Sequence, residues 1–217
     1  MEPVPPKIKF CGVTRREDAE RAAAAGAWAL GLNFWRHSAR RCEPAAAAEI
    51  AGAVRRRVEL VGVFVNAGLD EIASTADTVG LTMIQLHGDE GPAFCAEAGR
   101  RTGCKVIKAM RIRSGADIQA LAPFHTDFHL LDSYAPGKRG GTGETFAWEL
   151  ASAHRGRIPV ILSGGLTPDN VGDAIAAVKP YAVDVASGVE SSPGRKDPAK
   201  LEAFAAALRA VVPVPAP

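Results

Sequence analysis

The first strand-like stretch of the chain reads Lys7-Ile8-Lys9-Phe10-Cys11-Gly12-Val13-Thr14. Its polar and apolar side chains alternate as far as a thiol, a glycine then allows a tight turn, and Thr14 is a typical helix N-cap. A strand that runs directly into a helix is the unit of α/β folds, which place their reactive groups at the carboxyl ends of the strands. The stretch therefore predicts an α/β fold with Cys11 at its reactive edge.

The same unit recurs along the chain. Apolar runs of strand length lie near residues 7–11, 29–34, 59–65, 82–86, 105–109, 128–132, 158–162 and 181–185. Helical spacing of apolar residues is clear at Val171, Ala174, Ile175 and Val178, is repeated at Leu201, Phe204, Ala205 and Leu208, and is weaker at Ile50, Val54 and Val58. Thr167-Pro168 predicts a helix start, and Gly26 and Gly103 predict helix ends.

Strands that alternate with helices eight times indicate a parallel sheet, either closed as a barrel or open and doubly wound. Eight units in about 200 residues match the lower size range of a barrel. No G-x-G-x-x-G follows the first strand, which disfavours the dinucleotide-binding open sheet. We predict a single (β/α)₈ TIM barrel domain over residues 7–211, with short proline-rich termini over residues 1–6 and 212–217.

Composition narrows the class of protein. Hydrophobic residues make up 47% of the chain and the net charge is only +2, so neither a nucleic-acid nor a membrane partner is expected. The four cysteines form no C-x-x-C pair and no pattern typical of secreted disulfide proteins: Cys11, Cys42, Cys95 and Cys104. Together with the lack of a signal peptide in residues 1–6, this predicts a cytoplasmic protein without a metal site. The oligomeric state, monomer or homodimer, stays open.

Two further features point to chemistry. An apolar strand at Phe128-His129-Leu130-Leu131 ends in Asp132, so a carboxylate and the Cys11 thiol can serve as general acid and general base at one edge of the sheet. Glycine-bearing loops follow the seventh and eighth strands, at Gly164-Gly165 and Ser187-Gly188. In barrels these two loops often bind phosphate through exposed backbone N–H groups, so we expect a phosphorylated small-molecule substrate.

From Lys7 to about Leu208 the chain resembles phosphoribosylanthranilate isomerases, enzymes of tryptophan biosynthesis. The resemblance rests on five co-ordered motifs: Lys9-Phe10-Cys11-Gly12-Val13-Thr14; Gln85-Leu86-His87-Gly88-Asp89; Leu131-Asp132-Ser133 with Gly140-Gly141-Thr142-Gly143 and Phe146-Ala147-Trp148; Ser163-Gly164-Gly165-Leu166 with Asn170; and Asp184-Val185-Ala186-Ser187-Gly188-Val189-Glu190.

The resemblance implies an Amadori rearrangement of N-(5-phosphoribosyl)anthranilate to an aminoketose phosphate, without a cofactor or metal. It assigns Asp132 as the acid that opens the furanose ring and Cys11 as the base that removes the C2 proton. Arg40 would bind the anthranilate carboxylate, and Gly164, Gly165, Ser187 and Gly188 would bind the phosphate. His87 and Asp184 would line the pocket near the reacting atoms.

One loop departs from the family pattern. Where the family usually reads Ser-Pro-Arg followed by an aromatic and an aliphatic residue, this chain has Ser38-Ala39-Arg40-Arg41-Cys42. The proline is absent and Arg41 stands in place of the aromatic residue, so the sequence leaves open which arginine contacts the substrate.

Three other functions are considered for a barrel of this kind. A histidine-pathway sugar isomerase, or a dual-substrate version of it, places an aspartate where Cys11 stands and carries a second phosphate loop in mid-chain. The middle of this chain has no second Ser-Gly-Gly loop, which favours a single phosphate. Indole-glycerol-phosphate synthase relies on a catalytic lysine with glutamates and typically has a longer N-terminal extension than residues 1–6. A barrel that only binds a phosphorylated ligand would need neither Cys11 nor Asp132.

Overall fold

A computed structural model describes residues 5–132 and 148–211. Within these residues, eight parallel strands pair in chain order and close on themselves, because β1 pairs with both β2 and β8. The strands are β1 Lys7–Cys11, β2 Ala29–Asn33, β3 Glu59–Phe64, β4 Met83–Leu86, β5 Lys105–Arg111, β6 Phe128–Asp132, β7 Val160–Ser163 and β8 Ala182–Val185. The predicted (β/α)₈ barrel is confirmed and the open sheet was the wrong alternative. Of the expected proline-rich termini, residues 1–4 and 212–217 lie outside the described residues.

Helices follow the strands around the barrel. They are α1 Arg16–Ala24, α2 Pro44–Val54, α3 Leu69–Val79, α4 Pro92–Thr102, α5 Gly115–Ala120, α6 over residues 148–152, α7 Val171–Val178 and α8 Pro198–Val211. The predicted faces of α7 and α8 are buried, with Val178 partly buried. The weaker helical pattern, which was predicted to run from Ile50 to Val58, extends one turn too far, since α2 ends at Val54 and Val58 lies beyond it. None of the helices in the described residues is long and apolar enough to cross a membrane.

Two predicted helix starts were wrong and two predicted ends were right. Thr14 is not the N-cap of α1, which is Arg15; the Thr14 hydroxyl instead donates to the Gly194 carbonyl at 2.6 Å. Thr167 lies upstream of α7, whose N-cap is Asn170. The Asn170 Oδ1 accepts a hydrogen bond from the Thr167 N–H at 2.8 Å, so residues 167–170 form a turn before the helix begins. The left-handed Gly103 ends α4, and Gly26, also at positive φ, follows α1.

Side-chain alternation divides the core into two layers. An inner cluster fills the barrel with strand residues such as Val61, Met83 and Ile161. A larger outer cluster lies between strands and helices, where Phe10 meets Phe204 edge to face with ring centroids 6.0 Å apart. Because Phe10 faces outward, its neighbours on β1 face the barrel interior. This alternation carries Lys9 into the barrel and Cys11 to its mouth.

A small hairpin that the sequence analysis did not predict follows β8. A short 3₁₀ turn at Ser187–Val189 leads into β9 Glu190–Ser192, which pairs antiparallel with β10 Arg195–Lys196 before α8 begins. The turn of the hairpin contains Gly194, which has a φ of 78°. The hairpin lies against the carboxyl end of β1, since the Gly194 carbonyl contacts Thr14.

Candidate active site

A cavity of about 510 Å³ opens at the carboxyl ends of the strands. Eight of the nine site residues predicted from the sequence line it: Cys11, Arg40, His87, Asp132, Gly164, Gly165, Asp184 and Ser187. The ninth, Gly188, lies beside the cavity. Cys11 and Asp132 end strands that are three positions apart around the barrel, and barrel closure makes both line one space.

The Cys11 thiol is half-buried at the end of β1. Gly31 pairs with it on β2, and a Cβ added at Gly31 would lie 2.7 Å from the sulfur, so the glycine makes room for the thiol. Burial raises the pKa of the Cys11 thiol above its ordinary value, and the nearby Lys9 ammonium opposes that rise. The thiol form is therefore favoured at neutral pH, and added positive charge near the sulfur would favour the thiolate.

A buried ion pair lies beneath the thiol. The Lys9 ammonium donates to Asp184 Oδ1 at 2.8 Å, and Asp184 Oδ2 accepts from the Ser163 hydroxyl at 3.1 Å. Burial lowers the pKa of Lys9, but Asp184 and Cys11 together raise it by more, so the net shift is upward and the lysine stays charged. Sequence reasoning did not select Lys9 as a site residue. The signal was the alternation of β1, which puts Lys9 on the same face as Cys11.

Across the cavity, Asp132 lies at the end of β6. His87 Nε2 is 3.8 Å from Asp132 Oδ2, and His87 Nδ1 is 3.0 Å from Gln85 Nε2. Gln85 is 1% exposed and lines the cavity, and its Oε1 has no hydrogen-bond partner among the described residues. Gln85 was quoted only as part of a motif. Gln85 lies on β4 two residues before His87, so the two side chains point to the same face.

The two adjacent arginines lie in different surroundings. Arg40 lines the cavity, whereas Arg41 is at the surface and pairs with Glu43 at 3.2 Å. The Arg40 guanidinium makes a bidentate contact with Glu190, with Nε 2.9 Å from Oε1 and Nη2 2.7 Å from Oε2. Burial alone would raise the pKa of Glu190, but Arg40 and Lys196 lower it below its ordinary value. The sequence analysis missed this contact, because 150 residues separate its two partners.

The loops after β7 and β8 approach each other closely. Gly164 and Gly165 both have positive φ, at 101° and 64°, so residues with side chains would be strained there and the backbone stays open to the cavity. A Cβ added at Gly188 would lie 1.9 Å from the Leu166 carbonyl oxygen, so Gly188 is the point at which the two loops pack. Backbone N–H groups in such glycine loops can donate to an anion.

Some predicted motif residues lie outside the described residues: Ser133, Gly140, Gly141, Thr142, Gly143, Phe146 and Ala147. Trp148, the last of that motif, is buried. Over residues 5–132 and 148–211, no group of three or more His, Cys, Asp or Glu side chains is arranged to hold a metal ion.

A family model for N-(5'-phosphoribosyl)anthranilate isomerase matches residues 8–207. The protein of that name from Citrifermentans bemidjiense is 49% identical over 205 residues, which cover 94% of this chain and 98% of that protein. The phosphoribosyl anthranilate isomerase of Thermotoga maritima gives a TM-score of 0.87 at 38% identity, covering 94% of this chain and 99% of that one. A phosphoribosyl anthranilate isomerase in complex with reduced 1-(o-carboxyphenylamino)-1-deoxyribulose 5-phosphate gives a TM-score of 0.84 at 35% identity, with the same coverage.

Proposed function

The chain belongs to the N-(5'-phosphoribosyl)anthranilate isomerase family, isomerases of tryptophan biosynthesis, and from that premise we propose that it rearranges its substrate with Cys11 as general base and Asp132 as general acid. The observation that carries this proposal is the shared cavity, into which a thiol on β1 and a carboxylate on β6 both open. A cavity of about 510 Å³ is within the usual range for small-molecule sites.

In the first step, the Asp132 carboxylic acid protonates the ring oxygen of the furanose. The C1–O bond breaks, and the nitrogen lone pair forms an iminium at C1. His87 lies beside the proposed acid, with its Nε2 3.8 Å from Asp132 Oδ2.

In the second step, the Cys11 thiolate takes the proton from C2, and the C–H electron pair moves to neutralise the iminium. The resulting enolamine loses its hydroxyl proton and gains a proton at C1, which gives the aminoketose. The protons balance, since one is delivered to the ring oxygen, one is lost from C2, and the tautomerisation exchanges one for one. The positive iminium and the Lys9 ammonium both favour the thiolate, which offsets the effect of burial on the Cys11 pKa.

Different groups bind the two anionic ends of the substrate. Arg40 binds the anthranilate carboxylate, because it lines the cavity while Arg41 pairs with Glu43 outside it. Backbone groups of Gly164, Gly165 and Ser187 bind the phosphate, and Gly188 keeps their loops in contact. Support comes from a related enzyme whose structure contains a phosphorylated, carboxyphenylamino ligand.

Two broader assignments accompany this function. The cytoplasm is the expected location, because a charged phosphorylated intermediate stays on the side of the membrane where it is made. We also propose that residues 7–211 form one barrel domain; among the described residues, one buried cluster has members from Ile8 to Leu208.

The function is tested by an activity assay with freshly generated N-(5'-phosphoribosyl)anthranilate. We expect formation of the aminoketose phosphate by the purified chain alone, and the histidine-pathway aminoaldose phosphate should react far more slowly. Conversion of the second substrate but not the first would contradict the proposal.

A further inference from the structure

A charged cluster, the Arg40–Glu190–Lys196 triad, begins at the cavity lining with Arg40 and continues through Glu190 and Lys196, which are not lining residues. The Glu190 side chain is 4% exposed and that of Lys196 is fully buried. Lys196 Nζ lies 3.1 Å from Glu190 Oε1, the same oxygen that accepts from Arg40 Nε at 2.9 Å. Buried charges of this kind are costly unless each is paired, so the three side chains hold one another in place.

The contact of Glu190 with Arg40 is made from the side of the guanidinium. Glu190 accepts from Nε and from Nη2, at 2.9 Å and 2.7 Å. An arginine has five N–H donors, and this contact uses two of them. The other edge of the guanidinium plane, formed by Nη1 and the second Nη2 hydrogen, takes no part in the contact with Glu190. Because Arg40 lines the cavity, the N–H groups of that edge can donate to a second carboxylate in an end-on contact.

Lys196 links the same glutamate to the strand that bears the thiol. An ammonium has three N–H donors, and Lys196 has three acceptors: Glu190 Oε1 at 3.1 Å, the Cys11 carbonyl at 2.5 Å and the Ala186 carbonyl at 3.1 Å. The backbone N–H of Gly194 also donates to Glu190 at 3.2 Å. The β9–β10 hairpin is therefore bonded both to the end of β1 and to the arginine on the β2–α2 loop.

We propose that Glu190 is a positioning residue of the reaction, which fixes the Arg40 guanidinium so that its free edge meets the anthranilate carboxylate, while Lys196 sets that arginine's place relative to Cys11. The inference rests on the proposed function, since it needs Arg40 to bind the carboxylate. The contact with Glu190 restrains Arg40 on the loop Ser38-Ala39-Arg40, which contains no proline.

The net charge of the Arg40–Glu190–Lys196 triad is consistent with carboxylate binding at Arg40. The triad contains two cations and one anion, so it keeps one net positive charge facing a substrate that brings a carboxylate. Since Lys196 shares the charge of Glu190, binding a second anion end-on at Arg40 does not require the first contact to break.

The test compares two ligands on Glu190→Gln. One is reduced 1-(o-carboxyphenylamino)-1-deoxyribulose 5-phosphate and the other is the same compound without the ring carboxylate. A glutamine keeps the size of the side chain but presents an NH₂ group to the donors of Arg40, so the guanidinium loses its fixed orientation. We expect the preference for the carboxylated ligand to fall roughly tenfold, the lower end of what a charged hydrogen bond contributes, with little change for the truncated ligand.

Three control variants separate the loss of Arg40 orientation from a change in net charge and from a failure to fold. Glu43→Gln removes one negative charge beside Arg41 and should leave the preference unchanged. In an Arg40→Ala background, Glu190→Gln should change the preference no further. Glu190→Asp keeps the charge but is one methylene shorter, so it should show an intermediate loss; it also carries the test if Glu190→Gln does not fold.

The outcomes are distinct. An equal loss for both ligands would show that Glu190 only supports the structure, and an unchanged preference in folded Glu190→Gln or Glu190→Asp would overturn the proposal while leaving the proposed function standing. A wild-type protein with no preference for the carboxylated ligand would instead overturn the assignment of Arg40 and this inference with it.

Discussion

At the scale of single residues, Arg40 and Arg41 offer a matched pair. Both carry one positive charge on the β2–α2 loop, but only Arg40 lines the cavity. If Arg40 binds the carboxylate, Arg40→Ala loses a charged hydrogen-bond pair of roughly 1.5–3 kcal/mol, which corresponds to about 10–150-fold in kcat/KM. Arg41→Ala should lose much less, because its partner is the exposed Glu43.

The measurement is steady-state kinetics of both variants at one ionic strength. Equal losses in the two variants would mean general attraction of the anionic substrate. A larger loss at Arg41 would show that the wrong arginine was assigned.

The sequence predicted Cys11 and Asp132 as site residues because each ends a strand-like pattern, and Arg40 through the family resemblance alone; all three line one cavity. It did not identify the partners that hold them. Glu190 contacts Arg40 across 150 residues and Lys9 contacts Asp184 across 175, and no local spacing encodes such pairs. The Lys9–Asp184 pair follows from strand register, in which the two residues stand side by side on β1 and β8, and the Arg40–Glu190 pair from contact between the β2–α2 loop and the hairpin after β8.

At the scale of elements, the loops after β7 and β8 depend on Gly188. Its missing side chain leaves space for the Leu166 carbonyl, which a Cβ would approach to 1.9 Å. Since backbone on both sides must shift, Gly188→Ala should lose about 1–3 kcal/mol of unfolding free energy, as overpacked sites do, and should bind inorganic phosphate more weakly.

Gly52→Ala is the control, since a Cβ at that position within α2 meets nothing within 4 Å. It should stabilise the protein by about 0.5–1 kcal/mol. Denaturant unfolding with and without phosphate measures both quantities. Unchanged stability of Gly188→Ala would show that the loops are not packed as described.

A histidine pair joins β6 to the segment that follows α6. His129 Nε2 donates to the Phe124 carbonyl at 2.9 Å, so in the neutral ring Nδ1 accepts from His154 Nε2 at 3.0 Å. Burial lowers the pKa of both rings, and for His129 the neighbouring His154 and His125 lower it further. Below the ordinary histidine pKa of about 6.5, the unfolded chain takes up protons that the folded one does not, so stability should fall as the pH drops from about 6.5.

The free energy of unfolding at pH 7.5 and at pH 5.5 tests this pair. His154→Gln should show a smaller loss over that interval than the wild type, whereas the exposed His37→Gln should match the wild type. An identical pH dependence in all three proteins would contradict the assignment.

Strands were easier to predict than helix starts. Apolar runs place a strand to within a residue or two, because a buried strand needs a continuous hydrophobic segment. β7 begins later than predicted since Pro159 has no N–H for the ladder. Thr14 and Thr167 resembled N-caps. In the structure the Thr14 hydroxyl donates to the Gly194 carbonyl, and Thr167 belongs to the turn that precedes α7. The β9–β10 hairpin has strands of only three and two residues, too short for any periodicity to show.

At the scale of the whole molecule, the chemistry depends on closure of the barrel. Cys11 and Asp132 are more than a hundred residues apart and on strands that do not pair, and the closed order of β1 to β8 makes both line one cavity. The eightfold repeat allowed that closure to be predicted from sequence. The arrangement within the cavity could not be predicted, because it depends on distances between side chains from different strands.

The central claim is that one thiol and one carboxylate carry the two proton transfers. Its most direct test is the turnover number of folded Cys11→Ala and Asp132→Asn with freshly generated N-(5'-phosphoribosyl)anthranilate, with thermal unfolding as the check on folding. Each variant should lose about 10²–10⁴-fold in kcat, the usual effect of removing a positioned acid or base. A folded variant of either kind with near-wild-type kcat would contradict the account.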